Sequence, residues 1–388
     1  VISWDANAGA PLLPHVAQAL TQAFADQAGN PSSVHQQGRR ARVRLDAARE
    51  QVASLLGAAS PREIVFCGSG SEAAAIAIIG AWLGRRDQAR RRVVTSALEH
   101  PCVLGAVDQL ARLGAEVVRV LPGPEGAVRA SDVLAALTPD TLLCSLMAVN
   151  NETGVVQPAG EVARACVARG VLFHCDAVQA FGRIPMSLRE VPADLLSLSA
   201  HKLGGPAGAA VLYARRQASL AAPTPGHQEN GRRGGTQSVA FAEAMALTLA
   251  HAIEDQPRFE REVGAVRNRF ERLLLERVPR ARINGAGAAE GSNSPGHRAA
   301  GTANVTFDGV DAEALLIALD LEGICVSTGA ACASGSLSPS HVLLAMGLSP
   351  AQAHGTLRFS LGPRATDAEA DVVLAALERL VPACVESP

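Results

Sequence analysis

Residues 171–206, VLFHCDAVQAFGRIPMSLREVPADLLSLSAHKLGGP, contain two short apolar runs, Val171 to Cys175 and Asp194 to Ser199, each ending abruptly in polar residues. Asp176 and Gln179 follow the first run. His201 and Lys202 follow the second, before Gly204, Gly205 and Pro206 force the chain to turn. Five more apolar runs read as strands: Ile64 to Phe66, Val93 to Ser96, Glu116 to Leu121, Leu142 to Val149 and Ala209 to Tyr213, with segments of helical period between them. Alternating strands and helices predict an α/β unit with a mainly parallel sheet covered on both faces. Ligands of such sheets gather beyond the carboxyl ends of the strands. Polar clusters fall at those ends: Gly68 to Glu72, Glu99 with His100, Asn150 to Thr153, Asp176 to Gln179, and His201 with Lys202.

Working outward, an amphipathic pattern from Arg39 to about Gly57 predicts a helix, and a charged helical segment from about Pro257 to Val278 leads out of the first unit. Gly285 to Gly301, rich in Gly, Ala, Ser and Pro, reads as a mobile surface loop. The remainder reads as a smaller α+β unit: strand Asn304 to Phe307, helix Ala312 to Leu321, a loop around Cys332, strand Leu357 to Ser360 and a last helix from about Asp367. The expected division is 14–256 for the large unit and 1–13 with 257–388 for the small one. A chain of 388 residues exceeds what one core usually fills.

Lys202 is the only lysine among the 35 basic side chains. Arginine stays protonated, whereas a lysine amine can lose its proton and form a Schiff base with a carbonyl. Asp176, at a neighbouring strand end, suits two roles: a helix N-cap, or a partner that keeps a pyridoxal ring nitrogen protonated. The segment FCGSGSEAAAIAIIG places Gly68, Ser69, Gly70 and Ser71 between a strand and a helix, where backbone donors and the helix dipole favour a phosphate. Ordinary capping, with Ser71 as the cap, is the alternative. His100 suits stacking on a flat cofactor, proton transfer or a structural role.

A net charge of −2 gives no electrostatic footprint for nucleic acid or anionic membrane, and the runs Arg39 to Arg44 and Arg90 to Arg92 read as solvated helix faces or ends. No apolar stretch has the length of a membrane span and no signal-peptide pattern opens the sequence, so a cytosolic location is expected. The eight cysteines include no CxxC pair, which argues against a zinc ribbon or a disulfide framework. Cys144 sits in apolar LLCSLMAV as a buried free thiol. Cys332 differs, lying among small, flexible residues in STGAACASGS.

With these residues in hand, the sequence resembles the pyridoxal-phosphate-dependent cysteine desulfurases of the aminotransferase class V group. The matching segments run in order: DANA (5–8), GNPSSVHQQGRRAR (29–42), SALEHP (96–101), NNETGVVQP (150–158), GVLFHCDAVQAFGRIP (170–185), DLLSLSAHKLGGP (194–206), GRRGGTQ (231–237), STGAACASGSLSPSHVLLAMGLS (327–349) and HGTLRFSLG (354–362). The resemblance implies a fold type I pyridoxal-phosphate enzyme, with a seven-stranded sheet in the large domain. Lys202 would carry the cofactor, His100 would stack on its ring, Asp176 would pair with the ring nitrogen and Gln179 with the phenolic oxygen. Gly70, Ser71, Ser199 and His201 would hold the phosphate, joined by Thr236 from the second subunit of a homodimer. Asn151 and Arg358 would hold the substrate carboxylate. Cys332 would take sulfur from L-cysteine as a persulfide and pass it to an acceptor such as an iron-sulfur scaffold protein, the long loop being the form associated with that pathway.

The chain departs from the usual pattern at Gly9 and Ala10, where threonines are common, and at GSGSE with Ala73, Ala74 and Ala75, in place of SGATE with two asparagines. Gly204 replaces a bulky aromatic and Asn230 an arginine. Rate and specificity are the properties these changes touch. A selenocysteine lyase or another transaminase of the same fold is the nearest alternative, and Cys332 is the residue that separates them. A sulfur-relay or scaffold-binding partner with weak catalysis is the alternative of another kind.

Overall fold

The computed structural model describes residues 1–26, 29–285, 297–328 and 339–385. Its seven-stranded sheet has the order Ile64–Cys67, Ala210–Ala214, Leu195–Ser199, Leu172–Asp176, Thr141–Met147, Arg92–Ser96, Glu116–Val120. Six of the seven strands run in the same direction, and Ala210–Ala214 runs antiparallel to both its neighbours. Every apolar run expected as a strand is one, with ends moved by a residue or two.

Successive strand residues face opposite sides, and each side has its own core. Val93, Leu143 and Leu195 pack with Ile76, Val103 and Leu110 of the helices Gly70–Leu83 and Pro101–Arg112. Val94, Cys144 and Phe173 pack with Leu45, Val52, Val162 and Cys166 of the helices Gln36–Leu56 and Ala159–Arg169. Coverage on both faces is why these strands are continuously apolar rather than alternating. The arginines of the run 90–92 do serve helix ends: Arg90 donates to the Gly170 carbonyl at 2.5 Å and Arg91 to the Gly114 carbonyl at 2.7 Å.

A four-stranded antiparallel sheet, Ser327–Thr328, Thr356–Ser360, Thr302–Phe307 and Ala281–Asn284, forms beyond it. Trp4, Phe270 and Phe359 centre its core, with the Trp4 and Phe270 rings edge to face at 5.0 Å. Trp4 arrives because Ile2–Ser3 pairs in parallel with Ile324–Cys325, and Asp5 bridges to Ser360.

The helix expected from Pro257 begins instead at Val239 and continues to Arg277 through Pro257. A proline inside a helix costs about 3 kcal/mol. Here the helix lies along Pro14–Ala25, Gln36–Leu56 and Asp367–Ala383, and packing of that extent outweighs one lost bond. Residues 286–296 of the expected surface loop lie outside the described residues. At its described end, Ala299 and Ala300 are buried, so that part is core.

Candidate active site

A cavity of about 320 Å³ opens at the carboxyl ends of the parallel strands. Gly70, Ser71, His100, Asn151, Asp176, Gln179, Ser199, His201, Lys202 and Arg358 all line it. Thr236 does not; it is exposed on the segment before Val239. Cys332 lies outside the described residues. Asn7, Ala8, Ser69, Cys102 and Met147 complete much of the wall, and of these Asn7 and Ala8, in the DANA segment, and Ser69, in the Gly68 to Ser71 turn, had a signal in the sequence.

The strand Leu195–Ser199 carries Ser199 to the sheet edge, and a single helical turn, Ala200–Lys202, sets His201 and Lys202 beside it. Ser199 Oγ and His201 Nδ1 are 2.8 Å apart, and Lys202 Nζ donates to the Ala8 carbonyl at 2.7 Å. Gly204 has φ 84°, a conformation that favours glycine. A Cβ there would lie 2.8 Å from Leu13 Cγ, so the bulky residue expected of relatives has no room.

The helix Gly70–Leu83 begins at the cavity wall. Its N-cap is Ser69, whose hydroxyl accepts the Glu72 N–H; Ser71, expected as the cap, is instead the second helical residue. Three consecutive residues with small side chains thus leave the first turn's amide donors accessible to an anion. A Cβ on Gly70 would lie 3.2 Å from Val178 Cγ2 and 3.4 Å from Ser199 Cβ, closing this corner. Ala73 and Ala74 are fully buried in the core and do not line the cavity.

Asp176 closes its strand, and Oδ1 accepts the Val178 N–H at 3.0 Å. No α-helix follows, so the helix N-cap reading falls and an Asx turn takes its place. Burial pushes the carboxyl up to about 6, with the Val178 amide and the Lys202 charge pulling the other way. Two residues earlier, His174 is fully buried between Ser145 Oγ, 2.8 Å from Nδ1, and Ser197 Oγ, 3.0 Å from Nε2. These cross-strand bonds tie together the three strands under Asp176.

Arg358 is 2% exposed. It donates from Nη1 to the Asn151 carbonyl at 3.1 Å and from Nη2 to Asp5 Oδ1 at 2.8 Å. Its Nε is a buried donor with no acceptor among the described residues. A guanidinium fork on a cavity wall matches a carboxylate in bidentate geometry. Asn7 joins the two sheets here: its backbone N–H donates to Ser360 Oγ, its side chain to the Asn151 carbonyl and Thr302 Oγ1, and its carbonyl accepts from Gln179 Nε2. Buried Arg183 donates to both Asn7 Oδ1 and Gln179 Oε1, which fixes the Gln179 amide.

His100 is pushed down to about 4 by burial and then by the Lys202 and His341 charges; burial and Lys202 do the same to His201. Both are neutral at physiological pH. Glu99, fully buried behind His100, is pushed up to about 8 by burial.

Asn230 stands at φ 57°, following Glu229 at φ 49°. Asparagine tolerates this left-handed region better than most residues. Glu229 is held there by Arg49, which donates from Nη1 and Nη2 at 2.7 and 2.8 Å, and by the Phe66 N–H at 2.8 Å.

The aminotransferase class V family matches residues 2–373. A cysteine desulfurase of Enterobacter agglomerans is 42% identical over 358 residues, covering 92% of this chain and 86% of that protein. Among solved structures, a NifS-like protein superposes with TM-score 0.88 at 30% identity, over 98% of this chain and 99% of that one. The structure titled SspA in complex with cysteine superposes with TM-score 0.80 at 32% identity, over 94% of this chain and all of that one. The family match runs through both sheets, and each of these relatives covers more than nine-tenths of this chain: the chain belongs to the aminotransferase class V family.

Proposed function

We propose that this chain is a cysteine desulfurase that uses pyridoxal 5′-phosphate, converts L-cysteine to L-alanine and carries the sulfur away as a persulfide on Cys332. The observation that carries the reading is the meeting of the only lysine and a buried aspartate in one cavity. The donor set fits the cofactor: Lys202 for the aldehyde, Asp176 for the ring nitrogen, Gln179 for the phenolic oxygen, and the Ser69 to Ser71 turn with Ser199 and His201 for the phosphate. Burial has already made the lone Asp176 carboxylate unfavourable, and a pyridinium N–H is the partner that would restore it.

When bound, pyridoxal phosphate supplies an aldehyde for an amine and a cationic ring that stores the electron pair released at a substrate α-carbon. Arg358 and Asn151 hold the substrate carboxylate and so set which bond at the α-carbon faces Lys202. The Lys202 amine takes the α proton at Nζ, close to the Ala8 carbonyl that already accepts from it. Cys332, as thiolate, attacks the substrate sulfur: an S–S bond forms, the Cβ–S bond breaks with its electron pair left on carbon, and that carbon takes a proton to become the methyl of alanine. No outside oxidant or reductant enters this balance.

Residues 14–256 are then the unit that holds the cofactor, while 1–13 and 257–388 bring Arg358 and Cys332 to it. Thr236, exposed here, would complete the phosphate site of a second subunit in a homodimer. The sulfur would leave to an acceptor protein of iron-sulfur cluster assembly in the cytoplasm. No helix among the described residues is long and apolar enough to cross a membrane.

Cys332→Ala tests the reading. The variant is expected to bind pyridoxal phosphate as the parent does and to lose sulfide release from L-cysteine with a reductant, by at least about 10²-fold. Unchanged sulfide release would make the protein a thiol-independent lyase.

A further inference from the structure

Cys102 lies on the wall of the same cavity, and the steps above make no use of it. It is the second residue of the helix Pro101–Arg112, whose N-cap is His100. The acceptor of that cap is an imidazole nitrogen: His100 Nδ1 takes the Cys102 backbone N–H at 3.2 Å. Cys102 Sγ lies 3.0 Å from the same nitrogen, and the Ser71 side chain hydrogen-bonds the thiol.

A backbone N–H can only donate. Nδ1 therefore presents its lone pair, and a neutral imidazole must then carry its proton on Nε2. With the lone pair so directed, the thiol contact has a single polarity. Its S–H donates to Nδ1 and its sulfur accepts from the Ser71 hydroxyl, giving a chain of three groups from the helix turn at Gly70 to the histidine. The high proton affinity of this buried thiol, pushed up to about 12 chiefly by burial, keeps it a donor. Neutral His100 suits the same arrangement, since an imidazolium at Nδ1 would set N–H against N–H.

We infer that Cys102 is a positioning residue which, through its thiol and its backbone N–H together, locks His100 as the Nε2–H tautomer and ties the ring to Ser71. His100 then carries its proton on the Nε2 side as a hydrogen-bond donor rather than a base, so proton abstraction falls to Lys202. The inference rests on the proposed reading of the cavity as the cofactor site, but its observable is separate.

The test is histidine-selective ¹⁵N labelling of the full-length chain, before and after loading with pyridoxal phosphate, with His100 assigned by its absence from His100→Gln. The expected spectrum at neutral pH shows a single unprotonated Nδ1 and a protonated Nε2. Cys102→Ala keeps the backbone donor but loses the thiol; the His100 signals should shift towards a tautomer mixture and kcat should fall about five- to tenfold, the worth of one hydrogen bond, with KM little changed. Cys102→Ser should restore both. A protonated Nδ1 in the parent protein would overturn the tautomer, and a Cys102→Ala variant unchanged in spectrum and kcat would overturn the role of the thiol. Failure of the cofactor reading would look different: the chain would stay colourless on loading, whatever the tautomer.

Discussion

Lys202→Ala abolishes the yellow colour of the pyridoxal-phosphate-loaded chain and lowers alanine formation from L-cysteine by about 10⁴-fold, the upper range for a lost acid–base group. Absorption spectra of the loaded protein and an alanine assay measure the two effects. The size follows from Lys202 holding two tasks, covalent attachment and proton movement at Nζ. No neighbour can substitute, because the chain has no other lysine. Lys202→Arg should be as inactive, since a guanidinium keeps its proton and cannot attack a carbonyl. A Lys202→Ala protein that kept its colour and its rate would remove the chemical basis of the assignment.

Asp176→Asn should lower turnover by about 10²- to 10³-fold, the loss typical of removing one fixed electrostatic partner from a reacting system. The cofactor-free protein should respond in the opposite sense. The folded-state carboxyl is raised to about 6 against an ordinary value near 3.8, so its ionised form is disfavoured by folding, by about 3 kcal/mol. Above pH 6 the parent bears that penalty and the neutral amide does not. As pH falls from about 6 to about 4, the folded parent gains its proton before the unfolded chain does, and the difference closes. Thermal unfolding of both cofactor-free proteins at pH 7.5 and at pH 4 measures it. A variant less stable than the parent at pH 7.5 would mean that Asp176 is a structural anchor whose ionised form the fold prefers.

The strands were legible in the sequence because a sheet covered on both faces demands unbroken apolar runs, and Asp194 to Ser199 differs from the observed Leu195–Ser199 by one residue. Their polar ends were legible for the same reason: the run stops where the sheet edge is. Local pattern failed where a distant contact decides. The helix start at Val239 was missed because Pro257 punctuates the sequence, while the helices packed against it are remote in the chain. Arg183 lies in the matched segment 170–185, but its role was not legible there, since it rests on Asn7, 176 residues away. Ser69 and Ser71 both suit a cap, and only the backbone geometry distinguishes them. Gly204 looked like a lost contact with the site. Its positive φ and the proximity of Leu13 make it a packing requirement instead.

The central claim is that one sulfur atom leaves L-cysteine for Cys332 as alanine forms. A single turnover with L-cysteine and no reductant, followed by peptide mass spectrometry, tests it most directly. The account predicts one alanine per active site and one added sulfur on the Cys332 peptide. Alanine without added sulfur there, or added sulfur without alanine, would contradict it.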